Sequence, residues 1–145
     1  MTRLFNTSFE VSMRILLALL MSPKKQMSLD MITAIDFLTI YSSDFDISDY
    51  NLHGENIFSF SEFTSKRKVI SESIKELVLK DLVTVIQSEQ GFQYKLNNRG
   101  KNLCDTFTSD YASEYIGFAQ EVWDFVNEKS EVEIINYINN KAAQL

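Results

Sequence analysis

The sequence predicts a mainly α fold with one small β-hairpin (α+β), a winged helix-turn-helix with a C-terminal helical extension. Three observations carry this expectation. Phe63, Ile70, Ile74, Leu77 and Val78 recur at helical spacing and form one apolar stripe. Leu82 to Ile86 follows at once, rich in β-branched residues and too short for an independent helix. Phe92 to Leu96 then alternates apolar and polar as a half-buried strand does, after a turn that contains Gly91. The expected division is a winged-helix domain over 1–105, with an insertion loop over 42–60, and a helical extension over 106–145 that belongs to the same domain.

A chain of 145 residues can bury a core within one domain. Its 45% hydrophobic content, single proline and four glycines argue against disorder. The apolar run Ile15–Met21 spans seven residues, far short of the about 20 that a membrane span needs. Glu10 precedes the run, Lys24 and Lys25 follow it, and no small-residue cleavage pattern appears, so it is no signal peptide. A cytoplasmic protein without a membrane partner is expected. Cys104 is the one cysteine, which leaves neither an intrachain disulfide nor a multi-cysteine metal site.

The net charge of −6 is unevenly spread. Residues 1–59 carry 4 basic and 7 acidic side chains, 60–105 carry 8 and 6, and 106–145 carry 2 and 7. The winged segment is therefore only weakly basic, whereas phosphate contacts supply most of the affinity of an independent DNA binder.

The first helix is expected from Thr7, at capping-box spacing from Glu10, to about Met21, where Ser22-Pro23 stops it. Phe9, Val11, Met13 and nearly all of Ile15–Met21 make it apolar on most sides, hence buried on most sides. Either another chain or the C-terminal helices cover that surface. A second helix runs from Ser28, a good N-cap, to about Tyr41, with Met31, Ile32, Ile35 and Leu38 inward. Asp36 sits near that inner face, where a carboxylate needs a partner. Ser61 is the expected cap of the third helix, with Glu62 in its first turn.

After the hairpin, Asn97 or Asn98 opens one long helix. Along it Cys104, Phe107, Tyr111, Tyr115, Phe118, Val122 and Phe125 follow at 3-4-4-3-4-3 spacing, as in a helix lying along another. The spacing leaves open whether that seam meets the first helix or a partner. Trp123 lies off the stripe and reads as an exposed anchor, so Tyr111, Tyr115, Phe118, Trp123 and Phe125 are the candidate partner-binding residues. Ser130 and Glu133 form a capping box for a last helix with Ile134, Ile135 and Ile138 inward.

The 42–60 segment is long for a helix-turn-helix turn. Asp44, Asp46, Ser48 and Glu55 match positions 1, 3, 5 and 12 of an EF-hand loop, but Asp49 stands where glycine is required. These acids read as turn formers. Asn51-Leu52-His53-Gly54-Glu55-Asn56 holds the single histidine, a poor zinc site without further ligands.

The outward face of the third helix carries Lys68, Glu72, Lys75, Glu76 and Leu79. Two carboxylates on a groove-facing side oppose a phosphate backbone, and the hairpin tip Gln87–Gly91 has no basic residue. Lys66-Arg67-Lys68 is the one basic cluster and can hold an anion, nucleic acid or a partner's carboxylate. A winged-helix transcriptional regulator is the alternative these features argue against. No Ser/His/Asp, Cys/His or paired-carboxylate constellation assembles from one histidine and one cysteine, so no catalytic residue, cofactor or small-molecule substrate is expected.

Phe5-Asn6-Thr7, Asp36-Phe37, Asp44-Phe45, the Asn51–Asn56 hexapeptide, Ser61-Glu62-Phe63, Lys66-Arg67-Lys68, Gly91-Phe92 and Asp110-Tyr111-Ala112 together resemble the middle component of ABC-type three-component systems, bacterial defence operons that include Lamassu-like systems. Position 46 departs from that pattern, with Asp where glycine is expected. The resemblance implies a winged-helix subunit that couples an SMC-like or Rad50-like ABC ATPase to an effector, often a nuclease. DNA would touch it weakly or only within the complex.

Overall fold

A computed structural model describes residues 7–50, 52 and 60–143. Among these lie α1 (Ser8–Met21), β1 (Met27–Ser28), α2 (Leu29–Ile40), α3 (Phe60–Leu79), β2 (Val83–Ser88), β3 (Gly91–Leu96), α4 (Asn98–Cys104), α5 (Asp110–Val126) and α6 (Glu131–Ala143). The class is the expected one, mainly α with a small sheet. The sheet has three antiparallel strands in the order β1-β3-β2 rather than a lone hairpin. In it Tyr94 lies opposite both Met27 and Val85. Two residues of β1 are too few to show any alternation in sequence.

Hydroxyl and amide side chains set the helix starts. Thr7 Oγ1 accepts from Glu10 N at 3.2 Å, and Ser28 Oγ accepts from Met31 N at 3.0 Å. Ser130 and Glu133 close the full capping box, with Ser130 N donating to Glu133 Oε1 at 2.9 Å and Glu133 N donating to Ser130 Oγ at 3.2 Å. Two expectations fail here. The third helix begins at Phe60, which puts Ser61 inside its first turn. The single long helix after the hairpin is two helices. Asn97 caps α4, which ends at Cys104, and Ser109 caps α5 by accepting from Ala112 N at 3.1 Å. The intervening Thr106-Phe107-Thr108-Ser109 is poor in helix formers, and Thr106 Oγ1 donates to the Leu103 carbonyl at 2.7 Å.

The core forms around α2. Every residue from Met31 to Ser42 is buried, so this helix has no solvent face beyond its first turn. The α1 helix is buried from Val11 to Leu19 except at Ser12, covered by α2, α3, α4 and α5. The chain's own helices thus cover most of the apolar surface of α1, and Phe9 and Leu20 at its two ends stay exposed. Phe63, Ile70, Ile74 and Leu77 are the buried side of α3, as expected. In β3, Leu96 is buried and Tyr94 half-buried, but Phe92 is exposed because the hairpin runs out beyond the core.

Backbone demands fall at a few positions. Gly100 packs so closely on the hairpin that a Cβ would stand 2.4 Å from the Leu82 carbonyl oxygen and 2.5 Å from Leu96 Cδ1. Asp46 has φ 60°, the left-handed region that favours glycine. The aspartate tolerates it, and its carboxylate takes Lys141 Nζ at 3.1 Å. The departure at position 46 thus keeps the turn and adds an α6 contact.

Candidate functional site

Among the described residues, two places join several elements through hydrogen-bonded polar or stacked aromatic side chains. The first is inside. Arg14, in the middle of the apolar run of α1, donates from Nε to Asp36 Oδ1 at 3.0 Å and from Nη2 to Oδ2 at 3.4 Å. Tyr115 of α5 donates its Oη to the same Oδ1 at 2.7 Å. Both charged side chains are 1% exposed. Burial works against the Asp36 charge, but the Arg14 guanidinium, the Lys66 ammonium and the hydrogen bonds donated by Arg14 and Tyr115 outweigh it, holding the carboxyl below the usual carboxylate range. Burial likewise opposes the Arg14 charge, and Asp36 with Tyr111 and Tyr115 outweighs it, so Arg14 stays protonated. Burial, then the Asp36 carboxylate, pushes Tyr115 far above the ordinary tyrosine range. Burial, partly offset by Arg14, pushes Tyr111 up as well.

This network ties α1, α2 and α5 together, with Lys66 of α3 contributing its charge. Asp36 therefore has the partner its position demanded. Arg14 escaped notice in the sequence because it stands among apolar residues. The available signal was reciprocal: a buried cation and a buried carboxylate in adjacent apolar helices each require the other.

The second place is the outer flank of α5. Tyr50 lies edge-on to Phe118, ring centroids 5.1 Å apart, and donates its Oη to Glu114 Oε2 at 3.2 Å. Tyr50, Glu114, Gly117, Phe118 and Glu121 line a shallow open hollow of about 260 Å³. One turn on, Phe125 packs on Tyr137 at 5.4 Å, and Lys129 Nζ stands over its ring at 5.5 Å. Tyr137 continues the row to Phe45 at 5.7 Å and donates to the Phe45 carbonyl at 3.0 Å. Glu114, Phe118, Glu121 and Phe125 follow at 4-3-4 spacing, a stripe of alternating carboxylates and rings.

The five expected partner-binding residues separate. Phe125, 36% exposed, stands at the surface, and Phe118 lies beneath Tyr50 at its edge. Tyr111 is half-buried beside Arg14, and Tyr115 is fully buried in the network. Trp123, expected as an exposed anchor, is 6% exposed and part of the core. The inner stripe of α5 is Ala112, Tyr115, Ala119, Val122 and Val126, at 3-4-3-4 spacing, and Trp123 flanks it. The aromatic spacing pointed to a neighbouring register because it followed ring size, whereas two alanines let α5 approach α1 and α2 closely. Tyr50 and Glu114 were not foreseen.

The basic cluster does not act as one. Arg67 pairs with Asp30 of α2, Lys66 is half-buried with its charge felt at Asp36, and Lys68 points to solvent. Beside it, Lys68, Glu72, Lys75, Glu76 and Leu79 are all exposed, as expected for the outward face of α3. Of the hexapeptide, Leu52 packs on the core, and Asn51, His53, Gly54, Glu55 and Asn56 lie outside the described residues. Asp46 of the acidic loop is engaged by Lys141, Ser48 Oγ donates to the Tyr50 carbonyl at 2.9 Å, and Glu55 lies outside the described residues. Burial pushes the Cys104 thiol up to about 11, the environment of an unreactive core cysteine.

No helix among the described residues is long and apolar enough to cross a membrane. Residues 4–145 match the family model described as ABC-three component (ABC-3C) system Middle Component 2. No curated protein and no solved structure matches the chain.

Proposed function

The chain belongs to the ABC-three component (ABC-3C) system Middle Component 2 family, and from that membership we propose that it is a non-catalytic adaptor that holds other components of such a system together. The finer reading is a winged-helix subunit linking an SMC-like or Rad50-like ABC ATPase to an effector, often a nuclease, in a cytoplasmic, Lamassu-like defence complex. The order of α2, α3 and the β2–β3 hairpin, with β1 completing the sheet, supports the winged-helix reading. The 1–105 domain and the 106–145 extension are read as one unit, because α5 packs on α1 and α2.

The observation that carries the adaptor reading is the exposed face of α3. It balances two lysines against two glutamates and ends in Leu79, 85% exposed. Such a face suits a protein surface better than a phosphate backbone. The Glu114–Phe125 flank of α5 is the second proposed contact, rings and carboxylates suited to a partner bearing Arg or Lys. Tyr115 and Trp123 serve this surface from beneath by fixing α5.

Co-expression with the other components followed by affinity capture tests this. Leu79→Ser and Phe125→Ala with Glu121→Lys are expected to reduce capture while leaving the helical circular dichroism signal intact. Undiminished capture by both variants counts against these surfaces, and no capture by the wild-type chain counts against the adaptor.

A further inference from the structure

On the side of the domain where α1 ends, a cleft of about 380 Å³ opens between the Ser22–Lys25 turn, β3 and α4. Its rim carries Lys24, Lys25, Lys95 and Lys101, and Leu20 and Leu96 are in its floor. Among the described residues no acidic side chain lines it. All four lysines are exposed, and none is in an ion pair among the described residues. Nearby Glu131 faces an adjoining cavity, where it accepts from Ser28 Oγ at 2.6 Å. In a chain of net charge −6, four of its fourteen Lys and Arg residues thus surround one hollow without a counter-ion among the described residues. The turn that presents two of them is fixed: Lys24 N donates to Ser22 Oγ at 3.0 Å.

We propose that this cleft is a docking site for an acidic, leucine-containing peptide segment of another component of the system. Three features select that occupant. Four converging ammonium groups on an otherwise acidic protein call for an anionic ligand. The leucine floor, with Leu20 39% exposed, calls for an apolar side chain between the charges. Among the described residues no aromatic ring and no arginine lines the cleft, so bases find nothing there to stack on and phosphates no bidentate donor. A duplex backbone would meet the lysines and leave the hollow unfilled.

Assigning the segment to a fellow component rests on the adaptor reading; the chemistry of the cleft does not. The test therefore uses the purified full chain and a fluorescein-labelled peptide of Glu-Glu-Leu repeats, with a Glu-Glu-Ser peptide and a labelled DNA duplex as controls, read by anisotropy. The Glu-Glu-Leu peptide is expected to bind, to weaken as salt rises, and to lose about tenfold or more in the Lys24→Gln, Lys25→Gln, Lys95→Gln, Lys101→Gln variant. Leu20→Ser is expected to weaken it at unchanged salt dependence. Lys24→Glu with Lys25→Glu, confined to the exposed turn, repeats the charge test should the fourfold variant lose its fold. Equal binding of the fourfold variant, equal binding of the Glu-Glu-Ser peptide, or tighter binding of the duplex overturns the proposal. If the peptide binds but no component co-purifies with the chain, the adaptor reading falls and the cleft's chemistry stands. Co-purification without peptide binding has the opposite meaning.

Discussion

Tyr115 donates its hydroxyl to the Asp36 carboxylate, Oη to Oδ1 at 2.7 Å, across 79 residues of sequence, and the same oxygen takes Arg14 Nε. The extension beyond the hairpin is thereby anchored to the central helix through a buried charge. Removing either end of that contact strands the rest of the network.

Asp36→Ala is expected to destabilise the fold by about 3–5 kcal/mol, because it leaves the Arg14 guanidinium buried without its carboxylate. Tyr115→Phe is expected to cost about 1.5–3 kcal/mol, a hydrogen bond to a charged group. Replacing Arg14, Asp36 and Tyr115 together by Met, Leu and Phe is expected to recover most of the loss. Urea unfolding of the three variants checks the ordering.

The same network gives stability a two-sided pH dependence. The folded pKa of Asp36 is depressed, so its contribution is present above the unfolded value of about 4 and is lost as pH falls through the folded value. The folded values of Tyr111 and Tyr115 are raised, so their contribution is present below the unfolded value of about 10 and is lost as pH climbs above it. Midpoints of urea unfolding from acid to alkaline pH are expected to form a plateau that falls at both ends. Asp36→Ala is expected to flatten the acid limb.

Gly100→Ala is expected to be among the costlier single-methyl additions, about 1–3 kcal/mol or more. The obstacle is the Leu82 carbonyl oxygen of the backbone at 2.4 Å, which no rotamer change relieves. Thermal unfolding against the neighbouring exposed Lys101→Ala separates this from a general effect of altering α4.

Trp123 is buried, and its indole N–H has no hydrogen-bond partner among the described residues. Trp123→Phe is therefore expected to cost far less than Trp123→Ala, which loses about 3–5 kcal/mol of packing. Both are expected to change stability before they change partner affinity. Denaturation and capture measured side by side decide this.

Much of the fold could be read from side chains that act locally. Thr7, Ser28 and Ser130 announced their helices, since a cap is a contact between residues three apart. The apolar stripe of α3 gave its buried side directly. What escaped depended on other elements. The brevity of β1 hid it until β3 lay beside it. The break at Ser109 is the exception, for Thr106, Thr108 and the Ser109 cap are local signals that the aromatic spacing running through them masked. The burial of Trp123 follows from a register set by Ala112 and Ala119, which ring spacing overlooked. The pairing of Arg14 with Asp36 required both helices at once, and the hollow beneath Tyr50 required a loop and a helix far apart in sequence.

The most direct test of the adaptor claim is size-exclusion chromatography with light scattering on the co-expressed components, followed by titration of the isolated chain against duplex DNA at physiological salt. Co-elution of the chain with a larger component, and weak duplex binding by the chain on its own, are the expected results. A chain that elutes by itself and binds duplex tightly contradicts the claim.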